Sequence, residues 1–204
     1  GYQGAEVWIA HVDPGAHAPE QIERFGQIMA EHNLVPTGIA GPFNEAGAQA
    51  AHYLGAGAVN GGLGQMPYDQ LIGLMDQYEI SANHENHPET GSDAILEAID
   101  YDDPRVGVAV DTGWLGTQGA DAPQVIRELG SRVKAVHVKD VAAPGAHHTV
   151  PLGEGCVDLP GVLRELKAIG FDGWLSWEDE PEDRNPMTIA AEMRQWIENE
   201  WQRA

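Results

Sequence analysis

Seven short apolar runs, each followed by a stretch with helical periodicity, set the rhythm of this 204-residue chain. "AEVWIAHV" (5–12) reads as the first strand, and "APEQIERFGQIMAEHN" (18–33) as a helix with Ile22, Phe25, Ile28 and Met29 on one stripe. "LVPTGIAG", "AVNGGLG", "ISANHENH", "RVGVAVD", "RVKAVHVKD" and "GWLSWEDE" follow as strands. Between and after them come "NEAGAQAAHYLGA", "YDQLIGLMDQYE", "SDAILEAID" behind an N-cap-like Ser92, "DAPQVIRELG", "LPGVLRELKAIG" and "PMTIAAEMRQWIENEW" as helices. Strict alternation of strand and helix demands a parallel sheet, either a β/α barrel or a doubly wound open sheet. A barrel of eight units needs about 31 residues per unit, so this chain holds roughly 6.6 units.

In parallel α/β folds the chemistry gathers at the carboxyl ends of the strands. The later strands end in "ISANHE", "VGVAVD", "KAVHVKD" and "WLSWEDE", which present Glu85, Asp111, His137 and Glu178. From 85 to 111 is 26 residues, and from 111 to 137 is 26 again; from 137 to 178 is 41, the excess lying in "AAPGAHHTVPLGEGCVD". One helix and one strand fill 26 residues, so the same rim position recurs on neighbouring strands. Any one of these residues alone reads more readily as a capping carboxylate or a core histidine. Together, two Glu, one Asp and one His form a mixed oxygen and nitrogen set suited to Mn²⁺, Mg²⁺, Co²⁺ or Zn²⁺.

"HENHPE", "VAVDTGW", "VHVKD" and "PLGEGCVDLPGVLRELKAIGFDGWLSWEDE" occur in that order. They resemble the sugar phosphate isomerase/epimerase family, the xylose isomerase-like TIM barrels, over nearly the whole chain. The resemblance implies a single domain, 1–204, of α/β TIM-type barrel fold, lacking the family's first strand-helix unit. It implies one divalent metal ion on Glu85, Asp111, His137 and Glu178, with manganese first among the candidates. It implies a metal-dependent isomerase or epimerase of a ketose or keto-polyol, with Glu85 and Glu178 moving the proton next to the carbonyl. Dehydration of a keto-inositol shares that first step. Lys139 and Asp140 of "VHVKD" are expected close to the substrate. His87 is expected at the mouth. Trp114 stands where the family usually has a histidine, and offers an apolar wall to a sugar face.

A different class also fits: a non-catalytic barrel subunit that binds a small polyol or a partner chain. The unusual Trp114 and the missing first unit motivate it. A second copy, or a partner completing the barrel, is the matching expectation for assembly.

Composition trims the rest. The formal charge is −21, from 32 acidic and 11 basic residues, which repels nucleic acid and anionic membrane surfaces. One cysteine, Cys156, excludes a disulfide framework and a cysteine zinc site, and suits the reducing cytoplasm. No apolar run reaches the roughly 20 residues of a membrane span. "GGLG" (61–64) reads as a plain turn, since no Lys-Ser/Thr follows. His147 and His148 fall in the long loop, and His11 ends the first strand. Arg105 and Arg184 are expected to pair with some of the many carboxylates.

Overall fold

The computed structural model describes residues 1–204. Its elements are β1 (Gly4–Trp8), α1 (Pro19–Glu31), β2 (Val35–Ala40), α2 (Glu45–Leu54), β3 (Ala58–Asn60), α3 (Tyr68–Tyr78), β4 (Ser81–Glu85) and α4 (Ser92–Ala98). They continue with β5 (Val106–Asp111), α5 (Thr112–Thr117), α6 (Ala122–Leu129), β6 (Val133–Val138), α7 (Leu159–Ala168), β7 (Trp174–Trp177) and α8 (Ala190–Arg203). The strands run in chain order, β1 through β7, as a parallel sheet. All seven expected strands and their helices are present. No helix is long and apolar enough to cross a membrane.

The contacts divide into two compact units. One holds residues 2–85 and 98–108; the other holds 86–97 and 109–204, with Gly1. Strand β5 passes from the first unit to the second after Val108. In the first unit, β1 to β4 pair in parallel, Ile39 opposite Val59 and Val59 opposite Ala82. Val7, Ile39, Val59 and Ala82 are buried, as are Leu71 and Met75 of α3. A row of polar side chains crosses these strands. Asn83 of β4 donates to Asn60 Oδ1 of β3 at 2.8 Å, and Asn60 donates to Glu6 of β1 at 2.9 Å. Gly38 of β2 leaves the space this row needs, because a Cβ there would lie 2.6 Å from the Asn60 amide.

Helix ends follow the local chemistry. Asn44, Asp121 and Asp158 each accept a bond from a backbone N–H three residues on, capping α2, α6 and α7. Pro19 and Pro160 sit in first turns, where no N–H is needed. Ser92 departs from the expectation. It is the first residue of α4, and its hydroxyl donates to Glu128 of α6. The first strand ends at Trp8, and residues 9–11 form a single 3-10 turn. His11 therefore stands beyond the strand, exposed, with its ring edge-on to Trp8. The "GGLG" turn has a steric cause: a Cβ on Gly61 would meet the Gly41 carbonyl oxygen at 1.9 Å.

Every residue of β5 is buried, which fits a parallel strand covered on both faces. Arg105 fastens the turn that feeds it. Its backbone N–H and side chain both bond Asp103, and its guanidinium reaches Asp76 of α3 at 2.6 Å. The Arg105 hydrogen bond holds the Asp103 carboxyl below its ordinary value of 3.8. A depressed folded-state pKa stabilises above the ordinary value and is lost as the pH falls through the folded one. Asp103→Asn should therefore cost about 1 kcal/mol at pH 7 in urea unfolding. The deficit should shrink below pH 3.8 and vanish once the wild-type carboxyl is itself protonated.

Candidate active site at the strand ends

Asp111, His137, Lys139 and Glu178 converge in the second unit, and backbone splices explain how. Asp111 is the last residue of β5 and is 1 % exposed. The Asn86 side chain holds it in place, accepting from the Asp111 N–H at 2.6 Å and donating to the Asp111 carbonyl at 3.2 Å. Thr112 does the same one strand on. Its hydroxyl accepts from the Lys139 N–H at 2.9 Å and lies 2.7 Å from the Lys139 carbonyl oxygen. Past the end of β7, the Glu178 N–H donates to the Val138 carbonyl at 3.2 Å, extending the parallel ladder by one residue. His137, second to last in β6, faces it, with Nδ1 3.3 Å from Glu178 Oε2.

The Asp111 carboxylate divides its work. Oδ1 accepts from the Trp114 N–H at 3.0 Å and caps α5. Oδ2 lies 3.5 Å from His87 Nε2 and 3.6 Å from Lys139 Nζ. Asp111 with His87, and His137 with Glu178, each offer ligand atoms within 4.8 Å of one another. Trp114 stands over this group. Its ring meets the His87 ring edge-on at 4.6 Å, its indole N–H donates to the Glu89 carbonyl at 3.0 Å, and the exposed His147 lies 6.5 Å away. Glu85 is the last residue of β4, in the first unit, one residue before the Asn86 that grips Asp111.

Lys139 is the one cation among these acids. Its ammonium donates to Glu178 and to Glu180, both at 2.8 Å. Position 113 must be glycine for this, since a Cβ there would fall 2.5 Å from the lysine stem. Burial alone would lower the Lys139 pKa, but the charges of Asp111 and Glu178 outweigh it and raise it. Glu178 is pushed up, first by its own burial and then by Asp111, against the opposing pull of His137 and Lys139. Asp111 and Glu178 thus crowd two carboxylates into a space short of positive charge.

Asp140 plays a different part from the substrate contact expected of it. Its carboxylate is fully buried and accepts four backbone N–H groups, from Val141, Gly153, Gly155 and Val157, at 2.9 to 3.2 Å. These bonds hold the base of the long loop after β6. They also account for the glycines of "PLGEG": Gly153 adopts φ +86°, and a Cβ on Gly155 would lie 2.1 Å from the Asp140 carboxylate. Arg184 is spent as well, paired through both terminal nitrogens with Asp179. Thr112 and Glu180 went unremarked in the sequence, and Asn86 reads there only as pointing away from Glu85 unless the strand ends at that point. Only their place beside a strand end could have drawn attention to them.

Removing the Asp140 carboxylate should leave four buried donors without an acceptor. Asp140→Ala is expected to cost more than about 3 kcal/mol in urea unfolding. Hydrogen exchange should locate the damage, with the Gly153, Gly155 and Val157 amides losing protection first. Asp140→Asn, which keeps one acceptor oxygen, should cost less.

Comparison with known proteins bears on this arrangement. A candidate L-ribulose-5-phosphate 3-epimerase of Escherichia coli K12 is 31% identical over 109 residues, covering 50% of this chain and 37% of that protein. An inosose dehydratase of Geobacillus thermodenitrificans NG80-2 is 30% identical over 152 residues, covering 63% of this chain and 51% of that protein. The chain spans about half the length, or less, of these curated relatives. Among solved structures, a D-tagatose 3-epimerase-like protein superposes with a TM-score of 0.79 at 17% identity, covering 99% of this chain and 89% of that one. The IOLI protein, crystallised with a zinc atom, gives the same TM-score at 16% identity, covering 100% and 89%. These likenesses agree on the fold, a TIM-type barrel of which this chain carries seven parallel strands. The family model for the xylose isomerase-like TIM barrel matches residues 68–200, and the chain belongs to that family.

Proposed function

We propose that the chain is a divalent-metal-dependent enzyme that moves a proton next to the carbonyl of a sugar or keto-polyol. The observation that carries the reading is the gathering of Asp111, His137 and Glu178 at three successive strand ends. Two carboxylates and one imidazole are a fitting donor set for Mn²⁺, with Mg²⁺, Co²⁺ and Zn²⁺ as alternatives. Burial first, and the Asp111 charge second, raise the Glu178 pKa, so a cation beside the two carboxylates would relieve their repulsion. Glu85 is proposed as the fourth ligand. It directly precedes Asn86, whose amide is already fastened to the Asp111 backbone.

A bound ion supplies Lewis acidity toward a carbonyl and its neighbouring hydroxyl. The residues supply the rest. Glu178 or Glu85 removes the proton from the carbon next to the carbonyl, giving an enediolate, and the other returns it. The Lys139 ammonium faces the negative charge that develops on oxygen. The Trp114 ring, edge-on to the His87 ring, offers an apolar wall for the face of a small sugar or polyol. The reducing cytoplasm, where a lone thiol such as Cys156 stays unpaired, is the proposed setting.

The family kinship supports both epimerase and dehydratase chemistry. The inosose dehydratase match, over 63% of the chain, favours the second as an alternative outcome of the same proton removal. Product analysis separates them. An epimerase returns the proton and inverts one carbon, and a dehydratase loses water across the adjacent bond.

Metal content by mass spectrometry on protein purified without chelator is expected to show about one divalent ion per chain. Glu178→Gln should lose or weaken that ion. In deuterated water, ketohexoses and inososes should exchange one carbon-bound proton. Glu85→Gln and Glu178→Gln should each slow that exchange by about 10²–10⁴-fold. Undiminished exchange in both variants would sink the mechanism.

A further inference from the structure

We propose that Glu180 is a positioning residue, which keeps the Lys139 ammonium beside the site when Glu178 turns its carboxylate to a divalent ion. The inference rests on the metal reading above. Glu178 works in two directions at once, with Oε2 toward His137 and Oε1 on Lys139. An ion held by Asp111, His137 and Glu178 must therefore compete with a lysine that already bonds one of its ligands and stands 3.6 Å from another. Glu180 resolves the conflict, because it offers the same ammonium a second carboxylate at an equal 2.8 Å.

The backbone shows that Glu180 is held for this contact. Its N–H donates to the Thr149 hydroxyl at 2.8 Å, and that hydroxyl donates to Asp179 at 2.7 Å. Thr149 and the side chain of Asp179 are buried, and Arg184 grips Asp179 with both terminal nitrogens. The Glu180 side chain itself is 67% exposed, so it stays solvated while its backbone is fixed. Lys139 leaves a buried backbone and its stem passes over Gly113, which has no side chain to block it, so the ammonium reaches both glutamates. Losing Glu180 would leave Lys139 on Glu178 and Asp111, in direct opposition to the ion.

A double-mutant cycle on Mn²⁺ affinity, measured by isothermal titration calorimetry, tests this. Wild type, Glu180→Gln, Lys139→Met and the double variant are compared, each checked for folding by circular dichroism. If Lys139→Met does not fold, Lys139→Gln takes its place. Glu180→Gln should weaken Mn²⁺ binding about tenfold in the wild-type background and change it less than about twofold without the lysine. Equal weakening in both backgrounds would mean that Glu180 acts only through its charge, and would overturn the proposal. So would an unchanged affinity in Glu180→Gln alone. A wild type that takes up no Mn²⁺, Co²⁺ or Zn²⁺ would overturn the metal reading itself, and the inference with it.

Discussion

The buried Asp140 carboxylate is the contact on which the strand-end architecture of the second unit depends. A carboxylate out of water is costly unless its oxygens are satisfied, and here four backbone N–H groups satisfy them. The gain is organisational. The chain from Val141 to Val157 is tied back at its base to Asp140, the residue that follows Lys139. That loop carries Thr149, and Thr149 carries the backbone of Glu180. Asp140 thus anchors the loop that holds the backbone of Glu180, one of the two glutamates on Lys139.

Charge explains why the site needs such anchoring. Asp111 and Glu178 repel one another, and each is held by backbone bonds that do not depend on the other: Asn86 for Asp111, and the extended β6–β7 ladder for Glu178. Lys139 relieves the repulsion by its charge, and Gly113 gives it the room to do so. Three arginines are taken up elsewhere. Arg105 secures the entry to β5, Arg184 the turn after β7, and Arg127 joins α6 to Glu165 of α7 at 2.6 Å. Arg24, Arg194 and Arg203 pair within their own helices.

Much of this was legible in the sequence, for reasons that differ by residue. The strands were readable because a buried parallel strand such as β5 needs an unbroken apolar run, and few other structures do. The strand-end residues stood out because their spacing repeats. The helix α5, only six residues long and with two glycines, offered no periodicity; its Asp111 cap came from a residue already read as a metal ligand. Asn86 and Thr112 were illegible because their task is set by the neighbouring strand, 25 to 27 residues away in the chain. Asp140 misled because adjacency to Lys139 suggested a shared site, whereas its partners lie 13 to 17 residues onward, at Gly153, Gly155 and Val157. Sequence reading finds what repeats along the chain. It does not find what is defined across strands.

The polar row beneath the strands of the first unit carries one more consequence. An amide can be turned end for end, so a row of amides alone has two nearly equivalent settings. The Glu6 carboxylate breaks that tie: ionised, it can only accept, which obliges Asn60 to donate toward it and Asn83 to donate toward Asn60. The row is therefore a small dipole of fixed sense, written by a single charge on β1 and read out on β4. Changing Glu6 to glutamine would preserve every shape in that layer and erase its direction.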